Sequence, residues 1–311
     1  MSLAHAPVLH REAIDGLQIK PDGRYIDGTY GRGGHAHSIL EKLGDKGRLV
    51  IMDRDPEAIA AAREVLGEDA RVTIIHDDYA NMREQIGELD LLQKIDGILL
   101  DLGVSSPQLD DASRGFSFQK NGPLDMRMNP HAGPSAAQWL AQAGEAEIAR
   151  VLWEYGEERN SRRIARKIVE LRSSQPIDDT ATLAKLISGL LPRPGNNKHP
   201  ATKSFQAIRI HINQELTQIQ SLLESVFEIL RLGGRLAVIS FHSLEDRLVK
   251  RFFKSQSSPP RIPRGLPLRD SEIELNIRLK ILGKAIKAGA KELAENPRAR
   301  SAVLRIAERA A

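Results

Sequence analysis

Four short apolar runs punctuate the first hundred residues, and each ends on a polar or glycine-rich stretch. Tyr25-Ile26 runs into a glycine cluster, and Leu49-Val50-Ile51-Met52 ends at Asp53. Val72-Thr73-Ile74-Ile75 ends at His76-Asp77, and Ile98-Leu99-Leu100 at Asp101. Apolar runs this short, without polar alternation, read as strands buried on both faces of a parallel sheet. Between them, His37–Leu43, Ala58–Leu66 and Met82–Leu91 carry apolar residues at helical spacing. Strands alternating with helices predict βαβ units and an α/β fold.

The alternation then stops. From Ser106 to about His199 no comparable strand occurs. Val104–Pro134 is rich in Ser, Pro, Gly and Asp, and helical runs follow over Ala136–Ala143, Glu145–Tyr155, Ser161–Arg172 and Ala181–Leu190. The pattern predicts a helical domain at 106–199, inserted into a discontinuous core of 1–105 and 200–311. Trp139 and Trp153 read as packing core of that insert. The core resumes with one helix, Thr202–Leu230, a turn at Gly233-Gly234 and a strand, Leu236–Phe241. Two more strands are expected over Asn276–Leu282 and Ala302–Ala307, with the proline-rich Ser258–Pro267 as a loop.

The strongest local signal is Asp27-Gly28-Thr29-Tyr30-Gly31-Arg32-Gly33-Gly34-His35, placed between the first strand and the first helix of the alternation. Glycines there let a ligand approach the backbone, and the helix start offers free N–H groups. Asp53 ends the next strand, 20 residues after Gly33, where a carboxylate accepts from ribose hydroxyls. With Asp77 and Asp101 ending later strands, the set describes an adenosine-containing cofactor. The spacing G-x-x-G-x-G-G departs from the dinucleotide G-x-G-x-x-G, and Asp27 before it disfavours a pyrophosphate. S-adenosylmethionine, which has a sulfonium, an ammonium and no phosphate, is favoured over NAD. Tyr79 either covers an adenine face or packs half-buried. Asp101 either anchors cofactor or accepts an N–H from an amine acceptor, with Ser105 and Ser106 shaping the pocket.

Composition removes some alternatives. The chain has 311 residues, 41% hydrophobic and 28% charged, as in ordinary globular proteins. It has no cysteine, hence no disulfide, thiolate metal site or thiolate nucleophile. No paired H-x-x-H accompanies His35, His199 or His242, so no metal is expected. No stretch approaches a membrane span, and the N-terminus lacks the apolar segment of a signal peptide, so a cytoplasmic protein is expected.

Net charge is +4, unevenly spread. Asp246–Ala311 holds 16 Lys and Arg against 7 acidic residues, while the rest of the chain is mildly acidic. Candidate phosphate contacts are Arg163 in the insert, Lys198 and His199 before the return helix, Arg209 on it, and His242, Arg247, Lys250 and Arg251 after the fifth strand. They form either a clamp for a phosphate backbone or solvated basic faces. Aromatic residues are few, at 4%, which favours recognition by shape and phosphate over extensive stacking.

Several longer blocks carry a resemblance. Asp27–His35, Gly97–Asp110 (GILLDLGVSSPQLD), Arg114–Arg127 (RGFSFQKNGPLDMR), Lys198–Gln206 (KHPATKSFQ), Ile239–Asp246 (ISFHSLED) and Glu295–Arg305 (ENPRARSAVLR) resemble the bacterial RsmH family, also called MraW. The resemblance runs from about Pro7 to Ala307. It implies a Rossmann-like S-adenosylmethionine-dependent methyltransferase core interrupted by a helical substrate-recognition domain. It further implies methylation of N4 of one cytidine in the decoding region of 16S ribosomal RNA, within the small subunit, by a monomer or homodimer. Cofactor contacts would fall on Gly33, Gly34, His35, Asp53, Tyr79, Asp101 and Gln108. Tyr79 stands where the family commonly has Phe. A DNA amino-methyltransferase, an NAD-dependent oxidoreductase and a non-catalytic RNA-binding factor stay open as alternatives.

Overall fold

A computed structural model describes residues 7–191, 199–259 and 277–311. The chain divides into two units, Met1–Gly103 with Leu216–Ala311, and Val104–Glu215.

In the first unit the elements run α1 (His10–Leu17), β1 (Arg24–Asp27), α2 (Gly34–Lys42), β2 (Arg48–Asp53), α3 (Pro56–Leu66), β3 (Val72–His76), α4 (Met82–Glu88) and β4 (Ile95–Asp101). The second unit contributes α5 (Ser106–Asp110), α6 (Ala136–Gln142), α7 (Glu145–Gly156), α8 (Ser161–Arg172), α9 (Thr180–Leu190) and α10 (Thr202–Ile212). The chain returns through α11 (Glu215–Ile229), β5 (Leu230–Ser240), α12 (Ser243–Gln256), β6 (Leu279–Ile281), β7 (Ile286–Lys287), α13 (Ala290–Glu295) and β8 (Val303–Arg309).

The sheet order is β3-β2-β1-β4-β5-β8-β6, with β7 also on β8. The first five strands are mutually parallel; β8 is antiparallel to β5, β6 and β7. This is the expected Rossmann-like, mostly parallel α/β fold. The period of two along each strand divides the core between two faces. Leu49, Ile51, Leu99, Ala237 and Ile239 pack against α1, α2 and α3. Val50, Met52, Ile98, Leu100, Leu236 and Val238 pack against α4, α11 and α12. Strands covered on both sides have no polar face, which is why their sequences show no alternation.

β5 departs from expectation. Leu230 pairs with Ile95 and Arg235 with Gly97, so β5 takes five steps where β4 takes two. Gly233, at φ 73°, makes the detour. The Gly233-Gly234 pair is therefore an excursion within one strand that starts at Leu230. α1, α5, α13 and β7 were not expected from the apolar pattern, and the proline-rich link lies outside the described residues from Pro260 onward.

The second unit surrounds its own core, built from Trp139, Leu140, Ile148, Val151, Leu152, Ile164, Ile168, Leu183, Ile187, Phe205 and Ile208. Its far boundary is Glu215, whereas the expected insert ended at residue 199. The run read as one helix, Thr202–Leu230, is broken at Asn213-Gln214, with Gln214 at φ 50°. Asn213 is 1% exposed. Its amide Nδ2 donates to Met126 O (2.7 Å) and Arg209 O (2.9 Å), and its Oδ1 accepts from Met128 N (2.8 Å). Those bonds tie α10 to the glycine- and proline-rich segment of the second unit and leave α11 to the first. Trp139 lies in the core as expected, its Nε1 donating to Glu147 Oε1 at 3.0 Å. Trp153 does not.

Asn213→Ala leaves one buried N–H and at least one buried carbonyl unpaired. It is expected to destabilise the protein by about 2–4 kcal/mol in urea unfolding. A loss under about 0.5 kcal/mol would contradict the role assigned to this side chain.

Candidate active site

β1 ends two residues before its neighbours. Asp27 pairs with Ile51 on one side and Leu99 on the other, while β2 continues to Asp53 and β4 to Asp101. The glycine loop thus leaves β1 between two flanking carboxylates, and it is stitched to both. Gly28 N donates to Leu99 O (3.0 Å), and Tyr30 N donates to Met52 O (3.2 Å). Gly31 N donates to Asp53 Oδ2 (2.8 Å), and Asp101 N donates to Thr29 Oγ1 (2.6 Å). The order 2-1-4 places this loop at the switch point of the sheet, the position where α/β folds bind ligands.

Two loop glycines answer to the protein itself. Gly33 has φ 77°, and a Cβ on Gly34 would lie 2.2 Å from Pro7 Cγ. α2 starts there with no side-chain cap and no acid in its first turn, so its N–H groups are open to an anion.

The carboxyl edge is acidic, with Asp27 buried and Asp53 and Asp101 half-buried. Asp27 is 2% exposed; burial, then nearby Asp53, pushes its pKa up to about 7 against the pull of the Thr29 N–H. Burial likewise lifts Asp53 to about 6, although the Asp55 and Gly31 N–H groups oppose it. Asp101 is raised well above the carboxylate range by burial, then by Asp27 and Glu245. Its Oδ1 has no hydrogen-bond partner among the described residues, nor has Nε2 of His35. His35 Nδ1 stands 3.8 Å from Asp101 Oδ2, too far for a hydrogen bond. Burial, with His10 nearby, pulls the His35 pKa down to about 4, so the ring is neutral at physiological pH.

Glu245 was not a site candidate in the sequence. It is fully buried, and its Oε2 accepts from Phe241 N (2.8 Å) and His242 N (3.3 Å). The signal that marks it is an acid three residues past the residue that caps α12, the capping-box spacing.

The other expected residues lie on several elements of both units. Tyr79 opens a short 3-10 turn after β3 and packs half-buried against the α4–α11–α12 face. Ser105, Ser106 and Gln108 belong to the second unit, where Gln108 Oε1 accepts from Ser105 N at 3.0 Å to start α5. Arg163 is exposed, as are Arg247, Lys250 and Arg251 along α12. His199 is exposed and its ring lies tilted against Phe118, 4.5 Å between ring centroids. Arg209 is bidentate to Glu215, at 2.8 Å twice, which withdraws it as a phosphate contact. The His242 ring is largely buried, 3.1 Å from Glu245 Oε1, and so does not stand out from the surface. Lys198 lies outside the described residues. No described helix is long and apolar enough to cross a membrane.

The family model of the MraW methylase family matches residues 2–310. The chain belongs to the MraW methylase family. Weaker likenesses to solved structures accompany the match. One is to an rRNA methylase from Streptococcus thermophilus, at 10% identity and TM-score 0.44, covering 99% of this chain and 100% of that one. A SAM-dependent O-methyltransferase from Thermotoga maritima matches at 11% and 0.42, covering 100% and 72%. An Aeropyrum pernix fibrillarin with natively bound S-adenosyl-L-methionine matches at 10% and 0.38, covering 93% and 68%.

This MraW methylase uses S-adenosylmethionine, and its carboxyl edge fits that molecule. Asp27 and Asp101, whose carboxyls have acids but no cation acting on them, suit a sulfonium and an ammonium. The uncapped first turn of α2 suits the carboxylate of the methionyl end, and Asp53 retains lone pairs for ribose hydroxyls. Asp27 and Glu245 repel a charge on Asp101, and a cation held beside it would offset that repulsion.

Two outcomes follow. A bound cation favours ionised carboxylates, and Asp27 and Asp53 are raised to about 7 and about 6. Affinity for S-adenosylmethionine therefore rises with pH through about 6–7, with net proton release, measured by titration calorimetry in buffers of different ionisation enthalpy. Flat affinity across that window would contradict the electrostatic account. Asp53→Ala is expected to weaken cofactor binding roughly 10- to 100-fold, the worth of hydrogen bonds to a charged group.

Proposed function

We propose that this methylase transfers a methyl group to N4 of one cytidine in the decoding region of 16S ribosomal RNA, acting on the small ribosomal subunit. The observation that carries the reading is Asp101, a half-buried carboxylate beside the switch point whose Oδ1 no described group engages. An exocyclic amine is a poor nucleophile because its lone pair is delocalised into the ring. A carboxylate that accepts its N–H raises electron density on N4 and takes up the proton that N-methylation releases. S-adenosylmethionine supplies the electrophilic methyl group.

Other residues support this acceptor. The chain has no cysteine, so no thiolate adduct at pyrimidine C6 is available and direct attack by nitrogen is favoured. His35, neutral beside Asp101, adds no competing positive charge. The exposed cations of α12 suit phosphates, and the blocks from Gly97 to Arg127 resemble those of the RsmH family. On this reading Ser105 and Ser106 shape the amine pocket, Tyr79 and Gln108 contact the cofactor, and the second unit recognises substrate. A target base has to be unpaired or flipped to reach the strand ends.

The test is transfer of labelled methyl to small subunits lacking the modification, naked 16S RNA and duplex DNA, with the product nucleoside identified by mass spectrometry. N4-methylcytidine on subunits is expected; transfer to DNA in preference would replace the RNA reading by the DNA one. Asp101→Asn is expected to lower kcat by roughly 10²- to 10⁴-fold. Normal turnover with only weaker cofactor binding would restrict Asp101 to anchoring.

A further inference from the structure

Trp153 is 57% exposed, the most exposed aromatic side chain among the described residues and one of only two tryptophans in the chain. It sits in the last full turn of α7. The preceding residues Ile148, Val151 and Leu152 face the core, so the indole occupies the opposite, solvent side of an amphipathic helix. Helix packing does not require it there.

The chain reverses immediately after. Glu157 takes φ 48°, and Glu158 N donates to Leu152 O at 3.2 Å. The start of α8 is thereby brought beside the end of α7 that carries Trp153; Arg159 lies in the intervening turn and Arg162 and Arg163 in the first turn of α8, all exposed. None of these three has an ion-pair or hydrogen-bond partner among the described residues. Their neighbours do: Arg150 holds Glu154 at 2.8 Å, Arg166 lies 3.7 Å from Glu145, and Lys167 pairs with Glu170. The first turn of α8 holds no acid. Cations at that end of a helix oppose its dipole, so helix stability does not explain them.

An exposed indole at the end of one helix and three unpaired guanidinium groups on the turn and helix start that follow it are complementary to one kind of polymer, with a π-face at each unit and a charge between units. We propose that Trp153 with Arg159, Arg162 and Arg163 forms a docking surface for a single-stranded RNA segment. The indole stacks on an unpaired base, and the arginines hold the flanking phosphates. The proposal rests on ribosomal RNA as the substrate and adds where the second unit grips it. It corrects the expectation that Trp153 is packing core.

Two readouts test it, both on the full chain with small subunits and with a single-stranded decoding-region oligonucleotide. Trp153→Ala is expected to raise KM for RNA roughly 5- to 100-fold with unchanged S-adenosylmethionine affinity and unchanged Tm. Trp153→Phe is expected to recover part of the loss. Oligonucleotide binding is expected to quench the fluorescence of the wild type but not of Trp153→Phe. Arg162→Ala with Arg163→Ala is expected to flatten the log–log salt dependence of binding by about 0.7 for each phosphate no longer neutralised. An unchanged KM without quenching overturns the docking surface while leaving the methyltransfer reading intact. Quenching by RNA that is never methylated sinks that reading and keeps the surface. Self-association of the wild type, lost in Trp153→Ala, overturns the proposal in favour of an interface between copies of this chain.

Discussion

Withdrawing a carboxylate from water without giving it a counter-charge is expensive, and along one edge this protein does so fully with Asp27 and in part with Asp101. Asp27, Asp53 and Asp101 end three adjacent strands and are held there by the register of the sheet. Asp101 in particular has no arginine or lysine to offset its burial, and two further acids raise its pKa. Such a cluster is destabilising by itself. It persists because the two apolar faces of the sheet over-determine the strand ends, and because main-chain N–H groups of the loop are committed to Asp27 and Asp53. The missing positive charge is the one a sulfonium cofactor carries. The fit to that cofactor traces to this omission.

The same constraint explains the division of labour within the chain. The parallel sheet supplies rigid strand ends, while its antiparallel partner β8 closes the far side of β5 and Arg305 bridges to Asp246 at 2.7 Å. The second unit has a separate core, so its surface is free of the demands of the cofactor edge.

Much of this was legible in the residues. Uninterrupted apolar runs located β1 to β4, because buried parallel strands have no solvent face to mark. The glycine loop and the acids that follow it pointed to the strand ends at the switch point, because glycines there meet a positive φ at Gly33 and the close approach of Pro7 at Gly34. What stayed hidden was tertiary in origin. The end of α10 depends on Asn213 bonding to Met126 and Met128, residues more than eighty positions away, which no local pattern records. Arg209 and His242 look like surface basic residues in sequence, yet each is engaged by a glutamate, Glu215 and Glu245 respectively. Trp153 has the spacing of a core residue relative to Trp139, but the apolar stripe of α7 runs past it on the other side. Glu245 hid because it acts through the backbone turn that precedes its own helix.

The central claim is that the carboxyl edge is built unpaired and waits for a cation. Titration of the Asp27 and Asp101 carboxyl carbons by ¹³C NMR tests it most directly, in the free protein, with S-adenosylmethionine, and with S-adenosylhomocysteine, which lacks the sulfonium charge. The account predicts both groups well above the ordinary carboxylate range when free, and a larger drop with S-adenosylmethionine than with the uncharged-sulfur product. Ordinary titration in the free protein, or the same response to both molecules, would contradict it.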